Sequence, residues 1–158
     1  MNIRNYIFKL IEIYLSLSQG DGDLPRENDI LLLTHQKHWV RKTGKKAISS
    51  LLDPLVERVN RTHGLKVTSI LYPWSEQWLS HQNTESLTLN RSYLPYFILH
   101  FLFKFLPVKD KQIAIFHFYH RLLLKVNPKA IFGIQLPSAV CKAAHNLSIP
   151  TVEICHGL

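Results

Sequence analysis

Four short apolar runs recur along the chain, and polar or turn-forming residues bound each of them. The runs are DILLLTH at 29–35, KVTSILY at 66–72, AIFGIQ at 130–135 and TVEIC at 151–155. Continuous apolar runs of this length are typical of strands that are covered on both faces of a parallel sheet. The pattern therefore predicts four buried, parallel strands.

Helical segments separate these runs. Asp53 and Pro54 predict a helix start, with Asp as the N-cap and Pro at the first helical position, and the helix is expected to end near Gly64. Three more helices are predicted over residues 92–106, 109–126 and 137–146, and a polar, basic loop over residues 36–46. Because strands alternate with helices, the expected fold is α/β, a Rossmann-like parallel sheet flanked by helices.

The N-terminal residues form a separate unit in this interpretation. Residues 1–18 place apolar side chains at helical spacing, which predicts an amphipathic helix that packs on the domain or lies on an anionic membrane surface. A turn-rich stretch follows it, so we divide the chain into residues 1–22, the helix and linker, and residues 23–158, one domain. Residues 93–106 are also densely apolar but shorter than a bilayer span, which predicts a buried or interfacial helix.

The positive net charge of the chain narrows the classes of partner that it is expected to bind. Lys and Arg number 19 against 11 Asp and Glu, which favours anionic partners such as phosphates, acidic sugars or lipid headgroups. No nucleic-acid-binding motif is present, so nucleic acid is not expected. The two cysteines, Cys141 and Cys155, form no disulfide framework and no signal peptide precedes the chain, which is typical of a reduced cytoplasmic protein.

The candidate functional residues lie where the predicted strands end, because parallel sheets bind ligands at the carboxyl ends of their strands. His35 follows the first strand and is either a general base, or a hydrogen-bond partner of a sugar hydroxyl, or the first residue of a loop. Thr43, Gly44 and Lys45 lie in a basic loop that holds a phosphate or an acidic sugar, or is simply solvated. The glycine-rich motifs of dinucleotide and P-loop phosphate sites are absent.

The last strand carries three further candidates. Glu153 lies inside an apolar run, so its carboxylate is expected to have a cationic partner or to point toward the cleft. Gly157 permits a tight turn that places His156 over the cleft. His117 and His120 share a helix face, but no flanking ligand completes a tetrahedral set, so no metal site is predicted.

Three segments together resemble the N-terminal domain of GT-B glycosyltransferases of bacterial lipopolysaccharide and capsular polysaccharide biosynthesis. They are DILLLTH with the following Thr43–Gly44–Lys45 and Asp53–Pro54–Leu55, NPKAIF at 127–132, and IPTVEICHG at 149–157. The third is close to the family's IPTVELQHG, with Cys155 in place of the usual Gln. Related HG endings occur in polyol-phosphate polymerases and sugar-nucleotide epimerases of similar architecture.

The resemblance implies an acceptor-binding half of a truncated or split glycosyltransferase, whose C-terminal donor-binding domain is missing or lies on a companion chain. It implies a saccharide or lipid-linked acceptor, a nucleotide-sugar donor for the complete enzyme, no metal or other cofactor, and a cytoplasmic location with peripheral contact to the inner membrane face. The implied base is His35, and the implied acceptor or donor contacts are Thr43, Gly44, Lys45, Glu153, His156 and Gly157. The alternatives are a non-catalytic membrane- or glycan-binding module and an epimerase-like or polyol-phosphate transferase-like domain.

Overall fold

The computed structural model describes residues 28–34, 40–41, 47–48, 52–72, 89–103, 105–110 and 112–154. Its elements in chain order are β1 Ile30–Thr34, β2 Val40–Arg41, β3 Ala47–Ile48, α1 Leu52–His63, β4 Val67–Leu71, α2 Asn90–Phe103, α3 Ile113–Val126, β5 Ala130–Gly133, α4 Ser138–Asn146 and β6 Thr151–Glu153. The predicted N-terminal helix and linker lie outside the described residues.

The main sheet has four strands in the order β4-β1-β5-β6, and every neighbouring pair is parallel. Helices flank it, so the α/β, Rossmann-like topology is confirmed. Strand β1 occupies the interior of the sheet, and all five of its residues are buried, as its uninterrupted apolar run predicted. The chain passes from β1 to β4 on one side and later returns to β5 on the other.

Alternating residues of β1 supply two hydrophobic clusters, because successive side chains of a strand point to opposite faces. Leu31 and Leu33 pack in the larger cluster with α3 and α4, whose contributions include Leu123 and Val140. Leu32 belongs to the cluster on the other face, which also includes Val56 of α1, Phe132 and Ile134. Both faces of the central strand are therefore covered by helices.

Three predictions about local structure are wrong. The basic segment 36–46 was expected to be a loop, yet Val40–Arg41 pairs with Ala47–Ile48 in a separate antiparallel ladder. Two-residue strands are too short to show the alternation by which a strand is recognised. Helix α1 begins at Leu52, so Asp53 lies in its first turn and not at the N-cap.

The third wrong prediction concerns β6, which was expected to be buried. Thr151, Val152 and Glu153 are all exposed, because β6 forms an edge of the sheet and pairs with β5 alone among the described strands. An apolar run does not by itself reveal the position of a strand in the sheet. None of the helices in the described ranges is both long enough and apolar enough to cross a bilayer.

Asp29 joins the amino ends of three strands. Its carboxylate pairs with Lys129 Nζ at 2.6 Å and accepts a hydrogen bond from the Lys66 backbone N at 2.9 Å. The hydrogen bond from Lys129, followed by that from Lys66, holds the pKa of the Asp29 carboxyl below its usual value. Residues just before β1, β4 and β5 are thereby held together at the edge opposite the strand ends.

We expect this lowered pKa to make the protein acid-sensitive. A carboxyl whose pKa is depressed on folding contributes stability above its unfolded pKa and loses that contribution as the pH falls through the folded pKa, here below about pH 4. Asp29→Asn should therefore lower the melting temperature at pH 6 and flatten its decline toward pH 3. The control is Glu57→Gln, which removes an exposed ion pair with Arg61 on α1. Parallel melting curves for wild type and Asp29→Asn across this range would contradict the assignment.

Candidate functional site

The topology creates a crevice at the carboxyl ends of β1 and β5. The chain leaves β1 toward β4 on one side, and β5 occupies its other side, so the connections diverge between these two strands. Open parallel sheets bind ligands at such a switch point. Thr34 ends β1 and is fully buried, and its carbonyl accepts a hydrogen bond of 2.9 Å from the Tyr72 backbone N. The end of β4 is thereby fixed beside the end of β1.

The turn from β5 to α4 forms one wall of this crevice. A Cβ atom added at Gly133 would collide with the Leu136 side chain and lie 3.1 Å from the carbonyl oxygen of Leu33. The Gly133 carbonyl also accepts a hydrogen bond from the Ile154 backbone N at 2.8 Å. Glycine therefore permits a close approach of three chain segments at the strand ends.

Gln135 continues this turn with an unusual backbone. Its φ of 54° is left-handed, and its side chain is exposed beyond the end of β5. A non-glycine residue in this region costs on the order of 1–2 kcal/mol, which the surrounding structure must offset. Leu136 and Pro137 then lead into α4, which begins at Ser138. The turn follows a predicted strand, which is where parallel sheets bind ligands, but nothing in the sequence indicated the left-handed conformation of Gln135.

Polar contacts connect the start of α4 to the turn between α2 and α3. Ser138 Oγ donates a hydrogen bond of 2.8 Å to Gln112 Oε1, and Lys142 Nζ lies 3.4 Å from Asp110 Oδ2. The Gln112 backbone N donates to Asp110 Oδ1, and this bond, with the charge of Lys142, lowers the pKa of the Asp110 carboxyl. The sequence did not indicate this network, because Ser138 and Gln112 are 26 positions apart and belong to no recognised motif. All four side chains are surface-exposed, or partly so, which favours a role in positioning α4.

Tyr72 follows β4 and is the buried phenol nearest to the strand ends. Burial raises its pKa above the usual range, and Cys141 and Glu153 raise it further. The hydroxyl therefore stays protonated at neutral pH and cannot act as an anionic base. Cys141 is a free, half-buried thiol.

Most predicted site residues lie outside the described residues. They are His35, Thr43, Gly44, Lys45, His156 and Gly157. For these residues the structure describes only neighbouring strands of the chain. Strand β1 ends directly before His35, and β2 and β3 flank the Thr43–Gly44–Lys45 triplet in the sequence. Their proposed roles stay predictions.

Glu153 is the one predicted contact residue that the structure describes. It pairs with Gly133 in the β5–β6 register, next to the crevice wall. Its side chain is exposed, so the carboxylate remains hydrated and does not require the cationic partner expected for a buried strand. Within the described residues it forms no ion pair.

The two histidines at helical spacing pack against an aromatic side chain. The rings of His117 and His120 lie 5.3 and 5.6 Å from the Phe116 ring centre. Among the residues that the structure describes, no group of three or more histidine, cysteine or acidic side chains is placed to hold a metal ion.

The fold defines the class of this protein as a Rossmann-like parallel α/β protein with its candidate site at the strand ends. No protein-family model matches the sequence, and no curated protein or solved structure gives a significant match. The class therefore rests on the topology, and any function is argued from the residues themselves.

Proposed function

We propose that the chain is the acceptor-binding half of a GT-B-type glycosyltransferase of bacterial surface polysaccharide biosynthesis. One observation carries the proposal. The runs DILLLTH, NPKAIF and IPTVEICHG of the three resembling segments contribute to β1, β5 and β6, which are adjacent in the sheet. Leu33, Gly133 and Glu153 form one row across these strands, so the three strands end at the same edge. Separate short resemblances thereby converge on one crevice.

In this proposal His35 is the base, because it comes one residue after Thr34 at the end of the central strand. An imidazole titrates near neutral pH and accepts the proton of the acceptor hydroxyl. The hydroxyl oxygen attacks the anomeric carbon of the nucleotide-sugar, and the bond from that carbon to the phosphate breaks with its electron pair leaving on the nucleotide. Thr43, Gly44, Lys45, Glu153, His156 and Gly157 contact the acceptor or the donor.

The division of labour between two halves gives a test. The full chain should bind acceptor saccharides but not turn over a donor alone, because the donor side belongs to a further domain or a companion chain. Saturation-transfer NMR with lipopolysaccharide core oligosaccharides measures acceptor binding, and the release of UDP from UDP-glucose measures turnover of the donor. His35→Ala should weaken oligosaccharide binding about tenfold, the loss of one hydrogen bond to a sugar hydroxyl.

His63→Ala is the matched control, because His63 is exposed at the end of α1, immediately before β4 begins, and so lies at the opposite edge of the sheet. It should leave oligosaccharide binding unchanged. Equal effects of the two substitutions, absence of oligosaccharide binding, or sugar transfer by this chain alone would each contradict the proposal.

A further inference from the structure

One side of α2 packs on the protein, and the other side is apolar and, within the part of the chain that the structure describes, largely exposed. Tyr93 and Tyr96 on the inner side contact the Phe118 ring, with ring centres 4.9 and 5.6 Å apart. The outer side continues into the turn after the helix, and we call it the apolar face. Its members are Ile98, Leu99, Leu102, Phe105 and Leu106, and each is between 43% and 74% exposed.

The spacing of the three helical members of the apolar face places them on one side of α2. Leu102 follows Ile98 by four residues and Leu99 by three, which places the three side chains together on a helix. Phe105 packs its ring against Phe101 at 5.3 Å, so the exposed ring in the turn is held in place from α2. A contiguous apolar surface of this kind marks an interaction site, because a solvent-facing helix surface is normally polar.

The charge of the chain segment that bears the apolar face favours an anionic partner. Residues 91–126 carry six lysines and arginines and a single acidic residue, Asp110. That carboxylate is already engaged by Lys142 and by the Gln112 backbone N. The chain segment that bears the apolar face is therefore strongly cationic. A second copy of this chain would bring the same positive charge and be repelled, whereas an anionic surface would be attracted.

A cleft beside the apolar face adds a place for an anion. It has a volume of about 230 Å³, lies between α2 and α3, and is lined by Ser92, Tyr96, Arg121 and Lys125 among others. Arg121 donates a hydrogen bond to the Tyr96 hydroxyl at 3.0 Å, which holds its guanidinium at the cleft. Tyr96 of the inner side and Phe118 line the cleft, and Ser92, two helical turns before Leu99, connects it to the border of the apolar face. Guanidinium and ammonium groups at such a cleft suit a lipid phosphate.

We propose that the apolar face docks on an anionic lipid bilayer, with Phe105 and Leu106 at the depth of the headgroups and a lipid phosphate in the cleft at Arg121 and Lys125. Helix α2 then lies along the bilayer surface, where basic residues of the adjoining segment are attracted by the anionic headgroups. This inference does not depend on sugar transfer. It locates membrane contact on α2, within one of the two apolar segments, residues 1–18 and 93–106, for which the sequence had raised it.

Sedimentation of the full chain with lipid vesicles tests the apolar component. Wild type should bind vesicles of equimolar phosphatidylcholine and phosphatidylglycerol and should not bind phosphatidylcholine alone. Leu102→Ser combined with Phe105→Ser should weaken binding about tenfold or more, because less apolar surface enters the headgroup region. Both residues are exposed, so the melting temperature should hardly change. Val152→Thr is the matched control, because Val152 is an exposed apolar residue on the edge strand β6.

A charge-matched pair tests the electrostatic component. Lys125→Glu at the cleft should weaken binding to the anionic vesicles about tenfold. Arg58→Glu changes the net charge equally but lies on α1, which packs on the other face of the sheet through Val56, and should have little effect. Equal losses for both variants would mean that net charge alone drives binding and would overturn the site.

Four further results would also overturn the proposal. One is equal binding to neutral vesicles, and a second is the absence of vesicle binding by wild type. Another is self-association in solution that the Leu102→Ser, Phe105→Ser variant abolishes while vesicle binding is unchanged, since the face would then be a protein interface. The last is full binding by that variant together with loss of binding in Ile7→Ser combined with Leu10→Ser, which would return the contact to residues 1–18. Failure of oligosaccharide binding, in contrast, leaves this inference untouched.

Discussion

Replacing Leu31 by alanine is expected to lower the free energy of unfolding by about 3–4 kcal/mol, near the middle of the range for buried leucines. Leu31 is fully buried at the middle of β1, between Thr68 of β4 and Ile131 of β5. Strands on both sides and the helices α3 and α4 above it limit the collapse of the surroundings into the cavity. Such a loss is a large fraction of the 5–15 kcal/mol that holds a typical domain together.

Urea denaturation followed by far-UV circular dichroism measures this loss as a lower midpoint at unchanged slope. Leu124→Ala provides the control, because Leu124 has the same side chain on α3 but is 58% exposed. It should cost less than about 0.5 kcal/mol. A similar small cost for Leu31→Ala would mean that β1 is not the centre of the core.

The interior of the fold was predictable because a strand that is buried on both faces appears in the sequence as a continuous apolar run. The runs that became β1, β4 and β5 were recognised within one or two residues. The end of α1 was also predicted, since Gly64 adopts a φ of 62° directly after it. These features depend on local chemistry, which a single sequence displays.

Features that depend on distant partners were not predictable in this way. The exposure of Glu153 follows from the edge position of β6, which is decided by pairing between segments far apart in the chain. Likewise, Ser138 meets Gln112 only because α4 packs against α3. The apolar face of α2 was half-predicted: its composition indicated a buried or interfacial helix, but only the packing of Tyr93 and Tyr96 shows which side remains uncovered.

Gly133→Val should destabilise the protein by about 2–3 kcal/mol, as overpacking of a close approach does. The added side chain would collide with Leu136 and press on the Leu33 carbonyl, and the latter belongs to the central strand and cannot move aside. The β5–α4 turn should shift with it, so the variant should also bind oligosaccharide more weakly than wild type if that turn lines the acceptor site. Urea denaturation and the same NMR titration measure the two effects separately.

Comparison with a second glycine distinguishes two reasons for requiring glycine at a position, steric crowding and a left-handed backbone. Gly64 has a left-handed φ of 62° and no atom within 4 Å of an added Cβ, whereas Gly133 lacks a left-handed φ but has close neighbours. Gly64→Ala should therefore cost about 1–2 kcal/mol and Gly64→Asn clearly less, because Asn tolerates the left-handed region. At position 133 the order should reverse, with Asn worse than Ala because it is larger. If Asn were instead the milder substitution at Gly133, the crowding at the strand ends would not be what requires glycine there.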